Sequence, residues 1–222
     1  LDADWHSGYF IFCDRFLFFL SVMQSPSWLS SLVWTDYRLA VLFTVLFPLG
    51  LLIWAFVQKS ESIQHLLIIY WRVASLLAIT VGLFIGAIPL GFLTGWIAKI
   101  LIPLSLWFWV DLNDEINEQP KSQLKLAFSS WRWGVTLYAA LGAIAAIPVL
   151  QCAFLPSKQL IDQPFCSIWL QPPWIFKQYF IGGMKPYTIG LLSTMALVIY
   201  ILYLGYFVFV RFGKQGRSAT GV

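Results

Sequence analysis

The chain has 222 residues, of which 59% are A, V, I, L, M, F, W, Y or C and only 11% are charged. A water-soluble domain carries about 25% charged residues to cover its surface, so much of this chain's surface must face something other than water. The net charge of +4 is small and the basic residues are scattered. That argues against nucleic acid as a partner and for the lipid bilayer, with a modest attraction to anionic headgroups.

At the N-terminus the apolar stretch 9–23 is only about 15 residues and contains Asp14 and Arg15, too short and too charged for a span of about 20 apolar residues. Met23 opens a stretch, MQSPSW, that reads like a natural beginning. Residues 1–22 are therefore expected to be an N-terminal extension, interfacial or not part of the natural product, and 23–222 the transmembrane domain.

Five apolar runs follow, at about 39–57, 66–88, 92–110, 134–154 and 187–210. Each is about 30 Å long as a helix. Backbone amides in lipid must pair within their own segment, so these runs predict helices. A barrel would require polar and apolar residues to alternate, and LAVLFTVLF from Leu39 does not. The predicted fold class is an all-α polytopic transmembrane helix bundle of about five spans.

The connections are equally readable. Ile88 to Phe92 (IPLGF) is uncharged and leaves room only for a tight hairpin. Gln58 to His65 joins the first two spans, and Asp111 to Trp133 is a polar segment with charges of both signs. Leu155 to Pro186 is the longest loop; its piece FCSIWLQPPWIF is too aromatic for a solvated linker, and a position on the membrane surface is expected. No internal repeat is visible, so the inverted-repeat signature of many transporters is missing.

Lys and Arg near the span ends predict orientation. One side holds Lys59, Arg72, Lys121, Lys125, Arg132, Arg211, Lys214 and Arg217; the other holds Arg15, Arg38, Lys158, Lys177 and Lys185. Eight against five places the first side, with the C-terminus, in the cytoplasm or stroma. Trp34, Trp96, Trp169 and Trp174 fall at one predicted edge, and Trp54, Trp71, Trp107, Trp109, Trp131 and Trp133 at the other, as headgroup-level indoles would.

Candidate functional residues are the polar groups in or beside the spans: Asp36, Arg38, Arg72, Lys99, Asp111, Asp114, Glu115, Glu118 and Arg132. Ionisable side chains in a membrane are costly and often functional. Arg72 snorkels to the surface, pairs with Asp111 or Asp114 at the end of the adjacent third span, or contacts a substrate. Lys99 lies deeper, about 16 Å from the end of its run. With no carboxylate inside any of the five runs, its expected partners are carbonyls loosened by Pro48, Pro103 or Pro148, unless it snorkels outward; a substrate or lipid-headgroup site is the alternative reading. Asp111, Asp114, Glu115 and Glu118 are spaced i, i+3, i+4, i+7, one stripe of a helix. This is read as a solvated face or a docking strip; the spacing matches no Ca²⁺ loop, and no metal site is expected. The pairs Gly82/Gly86, Gly91/Gly95 and Gly142/Ala146 suit close helix packing. Cys152 and Cys166 fall on the same side of the membrane, either bridged or as two free thiols.

Enzyme signatures are missing: no HExxH, GxSxG or phosphate-binding loop, and only two histidines, His6 and His65. No catalytic residue and no cofactor is expected. The segments Leu32–Phe43 (LVWTDYRLAVLF), Ile69–Thr80 (IYWRVASLLAIT) and Leu104–Asn113 (LSLWFWVDLN) resemble an uncharacterised family of multi-pass membrane proteins known from cyanobacteria and plastids, a domain of unknown function. The resemblance covers about 23–210. It implies a thylakoid or plasma-membrane location and an accessory or assembly role around photosynthetic complexes, with subunits of such a complex as partners. It supplies no reaction. Two function classes stay open: a non-catalytic protein docking to a larger membrane complex, and a small transporter or channel.

Overall fold

The computed structural model of the chain describes residues 27–207 and Phe209. The expectations for residues 1–22, and the tail cations Arg211, Lys214 and Arg217, lie outside the described residues. All regular structure among the described residues is helical. Helix α1 (Ser27–Val41) passes through a π-helical turn (Leu42–Leu46) directly into α2 (Phe47–Val57), so the first span runs unbroken over Trp28–Val57. Helix α3 (Glu61–Ile85) returns, and α4 (Leu90–Trp107) recrosses after a hairpin at Pro89. The short α5 (Val110–Glu118) follows a break at Trp109. Helix α6 (Gln123–Ala145) recrosses and bends by 57° into a 3-10 segment (Ile147–Phe154) at Pro148, making one broken span. The long connection then folds as α7 (Ser157–Asp162), α8 (Pro164–Ser167), a 3-10 turn (Ile168–Leu170) and α9 (Gln171–Phe180). Helix α10 (Pro186–Tyr206) is the last span.

The predicted five-span all-α bundle is therefore what the chain forms, and it is an integral membrane protein. The first boundary moves: the predicted span began at Leu39, but the chain is already helical twelve residues earlier, at Ser27. The hydropathy of TDYR (35–38) masked this, because a helix interior tolerates charge wherever a neighbour supplies a partner.

Two turns show why the helices stop where they do. Ala87, at φ 51°, and Lys59, at φ 54°, sit in the left-handed region that normally favours glycine. Behind them Ile88 N–H bonds the Leu83 carbonyl and Ser60 N–H the Ala55 carbonyl. These six-to-one closures satisfy the last carbonyls of α3 and α2 and reverse the chain.

The π turn has a local cause and a tertiary consequence. Pro48 has no N–H, so the Thr44 carbonyl one turn earlier loses its helical donor. The Phe47 N–H reaches back five residues to Leu42, which frees the Phe43 carbonyl as well. Both are recovered from other spans: Tyr70 Oη donates to Thr44 O at 2.7 Å and Trp131 Nε1 to Phe43 O at 2.8 Å. The main core collects around these contacts, with Leu66, Leu67, Tyr70, Leu106 and Phe128 fully buried. A second core closes the hairpin end, where Ala87, Phe92, Val149, Leu160 and Leu170 pack around Cys152 and Cys166. The aromatic loop is thus partly a plug inserted into the bundle, while Phe154, Tyr179 and Phe180 remain exposed.

Candidate functional site

Asp36, Lys99 and Tyr138 come from three different spans and meet at one point. Lys99 Nζ lies 3.3 Å from Asp36 Oδ2, the ion pair found among the described residues. Tyr138 Oη donates to Asp36 Oδ1 at 2.7 Å and lies 3.1 Å from the Asp36 carbonyl. Lys99 is the tenth of the eighteen residues of α4, so the pair lies at mid-span. Gly142 makes room for it: a Cβ there would stand 3.1 Å from Lys99 Nζ and 3.3 Å from its Cδ. Phe43 stacks on the Tyr138 ring at 5.8 Å between centroids, shielding one flank.

A carboxylate and an ammonium in direct contact cancel each other's charge, which lowers the cost of holding either one in lipid. This corrects the expected partners of Lys99. The carbonyl freed by Pro48 goes to Tyr70, and Lys99 finds a carboxylate in a span predicted to hold none. Gly142 serves as a slot for a lysine stem as well as a packing position. Tyr138, which completes the site, carried one weak sequence signal: it is, with Thr136, one of two hydroxyls in a predominantly apolar run.

A second polar station lies further along the seam between α4 and α6. Arg132 is buried, with its guanidinium carbon 4.1 Å above the Trp107 ring centre and 5.6 Å from that of Phe128. Such stacking offsets part of the desolvation cost of a cation. Arg132 Nη1 donates to Asn113 Oδ1. Trp107 Nε1 donates to Thr136 Oγ1 at 2.9 Å, and Trp96 Nε1 to the Ala143 carbonyl at 3.1 Å. These indoles, like Trp131, act as donors between helices. Each of these indole N–H groups bonds an acceptor on another span, Trp107 doing so from the last residue of α4.

The remaining candidates separate. Arg72 donates to Tyr203 Oη of α10 at 3.4 Å and forms no ion pair with Asp111 or Asp114. The break at Trp109 re-aims the acidic helix, so the antiparallel register assumed for a continuous third span does not hold. Asp114, Glu115 and Glu118 are exposed on α5, opposite the buried Leu112 and Ile116, while Asp111 is half-buried. The acidic stripe therefore exists, on a separate short helix. Arg38 is exposed on α1, inside the first span rather than ahead of it. Among the described residues no three His, Cys, Asp or Glu side chains gather where they could hold a metal.

Of the two readings open for the cysteines, the structure has the bridge: Cys152 and Cys166 form a disulfide with Cα atoms 5.8 Å apart. Gly82 and Gly86 pack on α10, where a Cβ on Gly86 would stand 2.6 Å from the Gly190 Cα.

Fold and site together define a polytopic helical membrane protein whose spans are tied by a half-buried ion pair and by interhelical indole and phenol hydrogen bonds. Residues 30–220 match the family described as protein of unknown function (DUF3177), and the chain belongs to it. No curated protein and no solved structure matched the chain.

Proposed function

We propose that the chain is a non-catalytic accessory or assembly protein that docks to a larger membrane complex. The resemblance to cyanobacterial and plastid proteins points to a photosynthetic complex in a thylakoid or cyanobacterial plasma membrane. The Lys and Arg bias puts the C-terminus on the cytoplasmic or stromal side.

One observation carries the docking reading. The polar groups loosened at the helix break are consumed inside the bundle: the Phe43 and Thr44 carbonyls by Trp131 and Tyr70. A transport site built from broken helices would turn such groups toward a cavity and a substrate. The exposed carboxylates of Asp114, Glu115 and Glu118 lie instead on an outward helix face. Purification of the full chain in mild detergent tests the idea: a stable heteromeric partner supports it, and a homo-oligomer that moves solute in proteoliposomes sinks it.

The mid-span Lys99–Asp36 pair favours a second reading, a small transporter. On that reading Asp36→Asn abolishes flux while the chain still folds. Orientation is checked separately, by labelling a cysteine placed in the C-terminal tail of right-side-out vesicles; labelling from outside refutes it.

A further inference from the structure

We propose that the outward face of α1 docks a transmembrane helix of a different protein, and that this helix carries a carboxylate opposite Arg38. This deepens the docking reading and rests on it. The contact of Asp36 with Lys99 fixes the depth of α1 at the middle of the α4 span. Antiparallel α6 confirms the alignment, since Tyr138 meets Asp36 and Trp131 meets Phe43. Arg38 lies two residues beyond Asp36, only about 3 Å along the axis. At 100° per residue it points about 200° away from Asp36, out of the bundle, where it is exposed.

Helical side chains lean toward the helix N-terminus, and α1 runs at least eleven residues, about 16 Å, in that direction. Among the described residues Arg38 has no hydrogen bond and no ion pair. A lone guanidinium facing lipid at that depth is costly, and a carboxylate from outside the bundle removes that cost. Ser31 and Thr35 share its exposed face at i, i+4 and i+7. Their small-xxx-small spacing lets another helix approach closely. A second copy of this chain does not meet the requirement. The exposed carboxylates among the described residues, Glu61, Asp114, Glu115, Glu118 and Asp162, lie at helix ends or on α5, and Asp36 is already held by Lys99 and Tyr138.

The test uses the full chain in its own membrane, with a diazirine amino acid at Leu39 or Leu42, which flank Arg38 and are 36% and 38% exposed. Irradiation should yield an adduct whose foreign peptide is an apolar span with Asp or Glu within one turn of the attachment point. Arg38→Leu should lower both the adduct and co-purification of that protein at least ten-fold, with Arg38→Lys retaining part of each. Charge exchange, Arg38→Asp with the partner's acid changed to Arg, should restore them; circular dichroism and chain abundance confirm that the variants fold. Adducts to lipid alone, to residues 1–26 of this chain, to a second copy, or to a span without an acid overturn the inference. If a partner co-purifies equally well with Arg38→Leu, the docking reading stands and this site for it fails. If the unaltered chain has no partner, both fail.

Discussion

Between α3 and α10 the backbones nearly touch at Gly86 and Gly190, with Ser193 facing Gly82. Where α1, α4 and α6 meet, the spans are linked by polar side chains, Asp36 to Lys99 and Tyr138, and Trp107 to Thr136. Lipid is as apolar as a leucine side chain, so helices in a membrane gain little from hydrophobic burial and associate by close packing or by hydrogen bonds. This chain uses one means on each side of its bundle. The difference teaches where each seam is fragile: the glycine seam should fail when a methyl is added, and the polar seam when a single partner is removed.

The largest expected effect is on the polar seam. Asp36→Leu leaves an ammonium at mid-span without its counter-charge and should cost about 3 kcal/mol, read as a lowered midpoint for unfolding in denaturing detergent. Adding Lys99→Leu should recover most of that loss, because no charge is then stranded. Purely additive losses would show that the pair is not coupled.

On the glycine seam the two positions should differ from each other. Gly86→Ala drives a methyl into the Gly190 backbone, which cannot rotate away, and should cost about 2 kcal/mol by overpacking. Gly82→Ala meets the Ser193 hydroxyl, which can rotate away, and the Ser193 Cβ at 3.0 Å, which can yield only by a small shift, and should cost about 1 kcal/mol. Equal losses in the same unfolding assay would mean that α10 sits further from α3 than described.

Tyr138→Phe keeps the ring stacked on Phe43 and removes only the hydroxyl donated to Asp36. The expected loss is about 1 kcal/mol, typical of hydrogen bonds between membrane helices. A loss as large as that of Asp36→Leu would make the phenol, rather than Lys99, the main partner of the carboxylate.

The smallest change belongs to neither seam and serves as a baseline. Lys59 is exposed at φ 54°, so Lys59→Gly should raise the unfolding midpoint slightly, by about 0.5 kcal/mol, as left-handed strain is relieved. Ala87→Gly relieves similar strain at φ 51° but loses a methyl from the core under the disulfide loop, and should come out near zero.

Much of this architecture was legible in the amino-acid order, because the determinants are local. Run length and hydropathy give a five-span helical bundle, Ile88–Phe92 leaves space only for a hairpin, and 3.6-residue periodicity puts Asp111, Asp114, Glu115 and Glu118 on one stripe. Pro48 even marks where a carbonyl must lose its donor. Tertiary structure alone decided who answers whom. Thr44 turns to Tyr70, Lys99 finds Asp36 across 63 residues of chain, Arg72 goes to Tyr203 rather than to an acid, and Cys152 meets Cys166. The physical reason is that periodicity is set by backbone geometry within one helix, whereas a buried charge or orphan carbonyl takes whichever partner the packing of other helices brings within about 3 Å.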